Sequence, residues 1–247
     1  MKFYRRLKPF KAISFDLDDT LYSNGPVMRA IDIKMVEYFA QLMPKQTQIF
    51  DVKFWLPFRH QAIQQHNALQ HDVVAVRFES YRLGFIALNY SQVIACNEAQ
   101  AALDYFIRLR SDFSVPQVSH DLLAQLSDKL PLVAITNGNV DAKAIGIARY
   151  FSAIYHAGFQ TNHLSTAHQG NLFRQKPRVD MFAVACEQLN IKPEELLHVG
   201  DCGNADILGG ITAGCQTAWL PKYGVGKAIK NLPHIELTDV SDLLRLI

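Results

Sequence analysis

The sequence contains few cysteines, and their spacing fits neither a disulfide framework nor a thiolate metal site. Only four occur among 247 residues, and no two of them form a Cys-x-x-Cys pair. Cys186 lies on an apolar helical face, which is typical of a small core residue. His60, His66 and His71 are close in sequence but lack the spacing of a metal-ligand motif. Because free thiols persist in a reducing compartment, we expect a cytoplasmic protein.

Long apolar runs are also absent. No stretch of about 18 apolar residues occurs, so no membrane-spanning helix is expected. The first apolar stretch, residues 12–15, is interrupted by Asp16, which does not fit a secretory signal. We therefore expect no membrane partner.

An excess of charge of one sign is absent as well, since the formal net charge is +2. A nucleic-acid-binding domain usually carries a strong basic excess on one face. The one basic cluster is interpreted as a solvated tail before the first strand, with contact to nucleic acid or membrane as the alternative. Its members are Lys2, Arg5, Arg6, Lys8 and Lys11. We expect no nucleic-acid partner.

Four short apolar runs have the length and composition of buried strands. Helical patterns with apolar residues on one face lie between the later runs. The predicted strands are 11–17, 131–136, 196–199 and 216–220, and the predicted helices are 119–129, 178–190 and 204–213. Ser119 and Pro177 are expected to begin two of these helices, and Gly214 to end the third. Alternating strands and helices predict an α/β fold with a parallel sheet covered on both faces.

The alternation is broken between residues 22 and 115. This stretch shows helical patterns at 27–43, 58–71, 74–88 and 98–110, and no clear buried strand. We interpret it as a helical domain inserted after the first strand. The predicted domains are a core formed by residues 1–21 and 116–247, and an inserted helical domain formed by residues 22–115.

Chemically reactive side chains lie at or just beyond the ends of three of the predicted strands. They are Asp16, Asp18 and Thr20 at the first, Thr136, Asn137 and Gly138 at the second, and Asp201 and Asp206 at the third. Ligands of open parallel sheets bind at the carboxyl ends of the strands, so these groups should converge on one crevice. Lys176, just before a predicted helix, is in a position to join them.

Several carboxylates in one crevice would repel one another and raise each other's proton affinity. A hard divalent cation relieves that repulsion, and Mg²⁺ prefers oxygen ligands. Lys176 and the hydroxyl of Thr136 would then face an anionic ligand. Carboxylates, a cation, a lysine and a hydroxyl suit phosphoryl transfer, in which charge must be held on the oxygens around phosphorus.

The motifs FDLDDTL, ITNG, QKP and GDCGNAD resemble, in order, the four motifs of the haloacid dehalogenase-like hydrolases. The resemblance covers about two-thirds of the chain. It implies a Rossmann-like parallel sheet core with an inserted helical cap domain that closes over the site. It also implies a Mg²⁺-dependent reaction on a small phosphorylated metabolite.

The resemblance implies a role for each matching residue. Asp16 would attack phosphorus, and Asp18 would protonate the leaving alcohol and then activate water. Asp16, the backbone carbonyl of Asp18, and Asp201 would bind Mg²⁺, with Asp206 supporting the site or acting through water. The groups expected to contact the phosphoryl group or substrate are Thr20, Thr136, Asn137, Gly138 and Lys176.

Asp18 also separates the subclasses of this family. Members that cleave carbon–halogen bonds lack an acid two residues after the nucleophile, so its presence favours ester hydrolysis. The alternatives are a phosphomutase or dehalogenase of the same family, and a regulatory module that is phosphorylated on Asp without turnover. A purely structural protein would leave the carboxylate cluster unexplained.

The stretches ISFDLDDTLYSN, PLVAITNGN, KPRVDMF and LLHVGD resemble a bacterial branch of the family that includes phosphatases of flavin biosynthesis. On that resemblance the substrate would be 5-amino-6-(5-phosphoribitylamino)uracil, with FMN and sugar phosphates as further candidates. Arginines of the inserted domain are candidates for a second polar contact, and its aromatic residues for stacking on a ring. They are Arg29, Arg77 and Arg82, and Phe54, Trp55, Phe58 and Phe78; the alternative for all of them is a place in the scaffold.

Overall fold

The computed structural model describes residues 1–160 and 172–247. Its main sheet has seven strands in the order β1-β9-β8-β7-β2-β3-β4, and a hairpin of β5 and β6 lies beside it. Every pairing in the main sheet is parallel except that of β1 with β9. The strands are β1 Lys2–Phe3, β2 Ala12–Phe15, β3 Leu132–Thr136, β4 Ala153–His156, β5 Gly158–Phe159, β6 Leu172–Phe173, β7 Leu196–Gly200, β8 Gln216–Trp219 and β9 Ile235–Glu236.

The four predicted strands correspond to β2, β3, β7 and β8, and the α/β fold class is confirmed. β2, β3 and β7 are buried along their whole length, as expected for central parallel strands. The prediction missed β1, β4, β9 and the hairpin. Most of these have only two residues, which is too short for a pattern, and β1 shows that part of the basic N-terminal stretch pairs with the sheet edge.

Helices occupy both the inserted region and the crossovers of the sheet. They are α1 Asn24–Leu42, α2 Val52–Gln65, α3 Val73–Ala87, α4 Gln92–Arg110, α5 Gln117–Ser127, α6 Asp180–Leu189 and α7 Gly209–Thr212. A π-helical stretch, Gly203–Leu208, leads directly into α7. Among the described residues, no helix is long and apolar enough to cross a membrane.

Two predicted helix starts are wrong. α5 is preceded by Pro116, and the buried hydroxyl of Ser119 instead donates a hydrogen bond to the Leu21 carbonyl at 2.5 Å. α6 begins at Asp180, so Pro177 lies before the helix, after a cis peptide bond from Lys176. Gly214 does end its helix, with a φ of +84° that favours glycine.

Helices α1–α4, here called the helical segment (residues 24–110), share an apolar core of their own. Phe39 is fully buried at its centre and contacts Trp55, Tyr81 and Phe85 with ring centroids 4.5 to 6.2 Å apart. A separate cluster around Phe15 lies under the sheet. Each part of the molecule therefore buries an aromatic and aliphatic core that its own elements supply.

Candidate active site

The loop after β2 turns sharply at the carboxyl edge of the sheet. The amide of Asp16 still donates to the Val199 carbonyl at 2.9 Å, which continues the pairing with β7. Asp19 then adopts a left-handed φ of 55°, and its carboxylate accepts from the amide of Asn24 at 2.9 Å. This turn holds the Asp16 and Asp18 carboxylates beside the ends of β3 and β7 and ties the start of α1 to the same loop.

Lys176 lies at the centre of the site. Its Nζ donates to Asp16 Oδ1 and Asp206 Oδ1, both at 2.7 Å, and to the Ile135 carbonyl at 2.6 Å. Its side chain is only 1% exposed. Burial by itself would lower the pKa of this amine, but the charges of Asp16 and Asp206 raise the pKa above its ordinary value. Lys176 is therefore a fixed cation against the predicted nucleophile.

Asp206 is held in place on both of its oxygens. Oδ2 accepts from the amide of Cys202 at 2.9 Å, and Oδ1 lies 3.1 Å from His198 Nε2 in addition to Lys176. Burial would raise the pKa of Asp206, but Lys176 and His198 hold it well below the ordinary value. Burial lowers the pKa of His198, so the neutral ring donates from Nε2 and accepts the Ser14 hydroxyl at Nδ1, at 2.8 Å.

Three carboxylates meet at the edge of the sheet. One oxygen each of Asp16, Asp201 and Asp206 lies within 4.8 Å of the other two. Burial, then the charges of Asp206 and Asp19, raise the pKa of Asp201 to about 7. Burial also raises the pKa of Asp16, against the opposing charge of Lys176. A divalent cation would offset this repulsion, and an all-oxygen donor set fits Mg²⁺. Since Asp206 is already bonded on both oxygens, Asp16 and Asp201 are the carboxylates available to a metal.

The Asp18 carboxylate is bound by two side chains that the sequence did not identify. Its Oδ1 accepts from the Tyr22 hydroxyl at 2.7 Å and from the Arg110 guanidinium. Arg110 is the last residue of α4, and its side chain is 3% exposed. The helical segment therefore reaches the predicted acid–base group directly. The four-residue spacing of Asp18 and Tyr22 was a local signal for the hydrogen bond between them. Arg110 gave no such signal, because it is 92 residues away from Asp18 in sequence.

The Thr136–Gly138 turn lies against the same loop. The amide of Gly138 donates to Thr136 Oγ1 at 3.0 Å. A Cβ at position 138 would lie 2.4 Å from Asp18 Oδ2, so only glycine permits this close approach. The Asn137 amide group donates to the Lys176 carbonyl at 3.1 Å and accepts from the Lys176 amide at 2.8 Å. The Asn137 side chain thus positions Lys176, a use that competes with the predicted substrate contact.

Thr20 is buried in the loop after β2. Its side chain is 1% exposed, and its hydroxyl has no hydrogen-bond partner among the described residues. Thr136, which the resemblance also assigns to the phosphoryl group, is buried to the same degree, so the substrate contact of Thr20 stays a prediction. The structure brings the other predicted residues together at one edge of the sheet: Asp16, Asp18, Thr136, Asn137, Gly138, Lys176, Asp201 and Asp206.

Comparisons with known proteins identify relatives of this chain. A family model described as haloacid dehalogenase-like hydrolase matches residues 10–214. The chain is 35% identical over 251 residues to the 5-amino-6-(5-phospho-D-ribitylamino)uracil phosphatase YigB of Escherichia coli, with 100% of both chains covered. It is 24% identical over 256 residues to the human N-acylneuraminate-9-phosphatase, covering 98% of this chain and 95% of the relative.

Solved structures show the same fold. A 2-haloacid dehalogenase from Pseudomonas syringae superimposes with a TM-score of 0.83 at 23% identity, covering 96% of this chain and 97% of the other. The hydrolase YfnB of Bacillus subtilis superimposes with a TM-score of 0.62 at 18% identity, covering 97% and 99%. The resemblance stated from the four motifs is confirmed, and the chain belongs to the haloacid dehalogenase-like hydrolases.

Proposed function

We propose that this chain is a Mg²⁺-dependent phosphatase that hydrolyses 5-amino-6-(5-phospho-D-ribitylamino)uracil through a phosphorylated Asp16. The chain is a phosphatase by its family and by the activities of its relatives. The metal, the intermediate and the substrate are the proposed parts. We also propose that it acts in the cytoplasm, where its four free thiols would stay reduced.

The observation that carries the proposal is the environment of Asp16. Its carboxylate is buried, fixed by Lys176 at 2.7 Å, and within reach of the Asp201 carboxylate. Lys176 keeps it oriented, as a nucleophile requires. Asp18 lies two residues away with a carboxylate that retains 21% exposure, as an acid–base group must to meet substrate and water.

The reaction follows from these positions. Asp16 would attack phosphorus, and the leaving alcohol would take a proton from Asp18. Asp18 would then remove a proton from the water that attacks phosphorus, which releases phosphate and regenerates Asp16. Lys176 and Thr136 would hold charge on the phosphoryl oxygens. Asp16, Asp201 and the Asp18 backbone carbonyl would hold Mg²⁺, which when bound would supply positive charge to offset that of the phosphate.

The proposed substrate rests on the full-length similarity to YigB. The 35% identity to that relative spans the helical segment as well as the core, whereas the identity to N-acylneuraminate-9-phosphatase is 24%. Caps of this kind meet the organic part of the substrate, so similarity across the segment bears on specificity.

Steady-state kinetics on a panel of phosphate esters tests this function. The full-length protein should hydrolyse the ribitylaminouracil ester with a higher kcat/KM than FMN, sugar phosphates or N-acylneuraminate 9-phosphate. EDTA should stop the reaction, and added Mg²⁺ should restore it. Product analysis separates the rivals, because a mutase would return an isomeric ester, a dehalogenase would release halide, and a regulatory module would retain its phosphate.

A further inference from the structure

A cavity of about 410 Å³ lies among the helices of the helical segment. That volume is within the range of sites for small ligands. Its wall is largely apolar and includes five aromatic side chains, and its charged lining residues are Asp32, Asp51, Arg59 and Arg77. The residues used below are Phe39, Trp55, Tyr81, Phe106, Arg77 and Asp32. The reaction described above uses none of these side chains.

Two helices connect the cavity with the loop after β2, residues 16–23, here called the catalytic loop. On α4, Phe106 lines the cavity, and Arg110 binds the Asp18 carboxylate one helical turn later. On α1, Met28 lines the cavity one turn after Asn24, whose amide binds Asp19. Four residues of helix advance about 6 Å, so on each helix a cavity-lining residue lies about that far along the axis from a residue that contacts the loop after β2.

Arg77 lines this cavity and has one unsatisfied donor. Its guanidinium carbon lies 3.6 Å from the centroid of the Phe106 ring, so the group is stacked on that face. Its Nε is buried and has no hydrogen-bond partner among the described residues. A buried donor without a partner costs free energy, so this Nε calls for an explanation.

The opposite charges in the cavity restrict what it can hold. Arg77 interacts electrostatically with Asp32, and both line the wall. Because the wall carries two acidic and two basic side chains, a ligand with a net charge of either sign would meet like charges as well as opposite ones. A neutral flat ring that carries both carbonyl oxygens and N–H groups would satisfy the two side chains and stack on the aromatic wall.

We propose that this cavity binds the heterocyclic end of the substrate, with Arg77 donating to a ring carbonyl and Asp32 accepting from a ring N–H or amino group. The inference rests on the proposed function, because it requires the phosphate of the same molecule to lie at Asp16. The aminouracil ring of the proposed substrate has this chemistry. Its ribityl chain would cross the interval between the cavity and the catalytic loop.

The test compares two esters with the same phosphoryl end: the ribitylaminouracil phosphate and ribitol 5-phosphate, which lacks the ring. The wild-type protein should prefer the ring-bearing ester in kcat/KM. Arg77→Met should lower that preference by about 10- to 100-fold, since it removes the donor and keeps an apolar stem. Asp32→Asn should also lower the preference for the ring-bearing ester. Because asparagine has nearly the same shape as aspartate, this variant removes the charge with little effect on folding.

Arg82→Met is the matched control. Arg82 lies on the same helix but pairs with Glu79 at 2.7 Å and does not line the cavity, so the preference should stay unchanged. An unchanged preference in both Arg77→Met and Asp32→Asn would overturn the inference. So would a wild-type protein that hydrolyses both esters equally well. A wild-type protein that hydrolyses neither ester would instead contradict the proposed function.

Discussion

Lys176 lies between two buried carboxylates that would otherwise repel each other. Asp16 and Asp206 both bind its Nζ at 2.7 Å, and Asp206 is further fixed by His198. Removing one partner of a buried charged pair costs about 3–5 kcal/mol, so Lys176 supports the fold as well as the chemistry. A substitution at Lys176 would therefore change stability and catalysis together. The contacts of Asp18 allow the chemistry to be tested more directly.

We predict that Arg110→Met lowers kcat about 10- to 100-fold for a phosphate ester of a simple alcohol. Arg110 and Tyr22 fix the Asp18 carboxylate, and losing the guanidinium would leave the acid poorly aimed at the leaving oxygen. The loss should be several-fold smaller for p-nitrophenyl phosphate, whose leaving group needs little protonation. Steady-state kinetics on the two esters measures this contrast.

Arg108→Met is the control for that variant, since Arg108 is exposed on the same helix, 5.5 Å from the Tyr105 ring. It should leave both rates unchanged. An equal loss for the two esters in Arg110→Met would mean that Arg110 supports the fold and does not orient the acid.

The sequence identified most site residues because the carboxyl ends of adjacent parallel strands share one edge. That reasoning applies to Asp16, Thr136 and Asp201, each at or just after the end of a predicted strand. It could not find Arg110, because nothing local distinguishes this arginine from the exposed Arg108 two residues earlier. The burial of Thr20 was equally hidden, since it depends on how the loop packs beneath the site.

At the scale of elements, the start of α3 joins the helical segment to strand β5, which pairs with β6. Asp72 Oδ1 accepts from the amides of Val74 and Ala75, which caps the helix. Its Oδ2 accepts from the amide of Phe159 in β5 at 2.9 Å. Gly158 allows the approach, because a Cβ there would lie 2.7 Å from Asp72 Oδ2. One carboxylate therefore serves both a helix and a strand.

We predict that Asp72→Ala lowers the free energy of unfolding by about 2–3 kcal/mol. The loss of a helix cap accounts for about 1 kcal/mol, and the loss of a hydrogen bond to a partly buried strand amide accounts for the rest. Asp51→Ala is the matched control, since Asp51 caps α2 through Lys53 and Phe54. It should cost about 1 kcal/mol. Urea denaturation measures both losses of unfolding free energy. Equal losses in Asp72→Ala and Asp51→Ala would show that the contact with Phe159 contributes no stability.

The bounds of the helices show where a sequence pattern is sufficient to locate an element. The patterns of α3 and α5 placed both helices to within two residues, because their apolar faces are buried along most of their length. The prediction for 58–71 was wrong in its bounds: α2 ends at Gln65, and a separate 3₁₀ turn spans Asn67–His71. The break depends on how Leu69 is buried, which periodicity alone does not report.

At the scale of the whole molecule, the helical segment contacts the catalytic loop at two points. These are Arg110 with Asp18 at its end and Asn24 with Asp19 at its start. The segment that would contact the organic part of a substrate is thus connected to the groups that would cleave it. The order of the motifs predicted that an insertion follows the first strand, but these contacts required the fold.

The most direct test of the central claim is to locate the phosphoryl group on the protein during turnover. Asp18→Asn should slow hydrolysis of the intermediate, because it removes the base that activates water. The variant is mixed with p-nitrophenyl phosphate and Mg²⁺, quenched in acid, and digested for peptide mass spectrometry. The account predicts an acyl phosphate on Asp16 and none in the double variant with Asp16→Asn. A phosphoryl group on another residue, or undiminished phosphate release by Asp16→Asn, would contradict it.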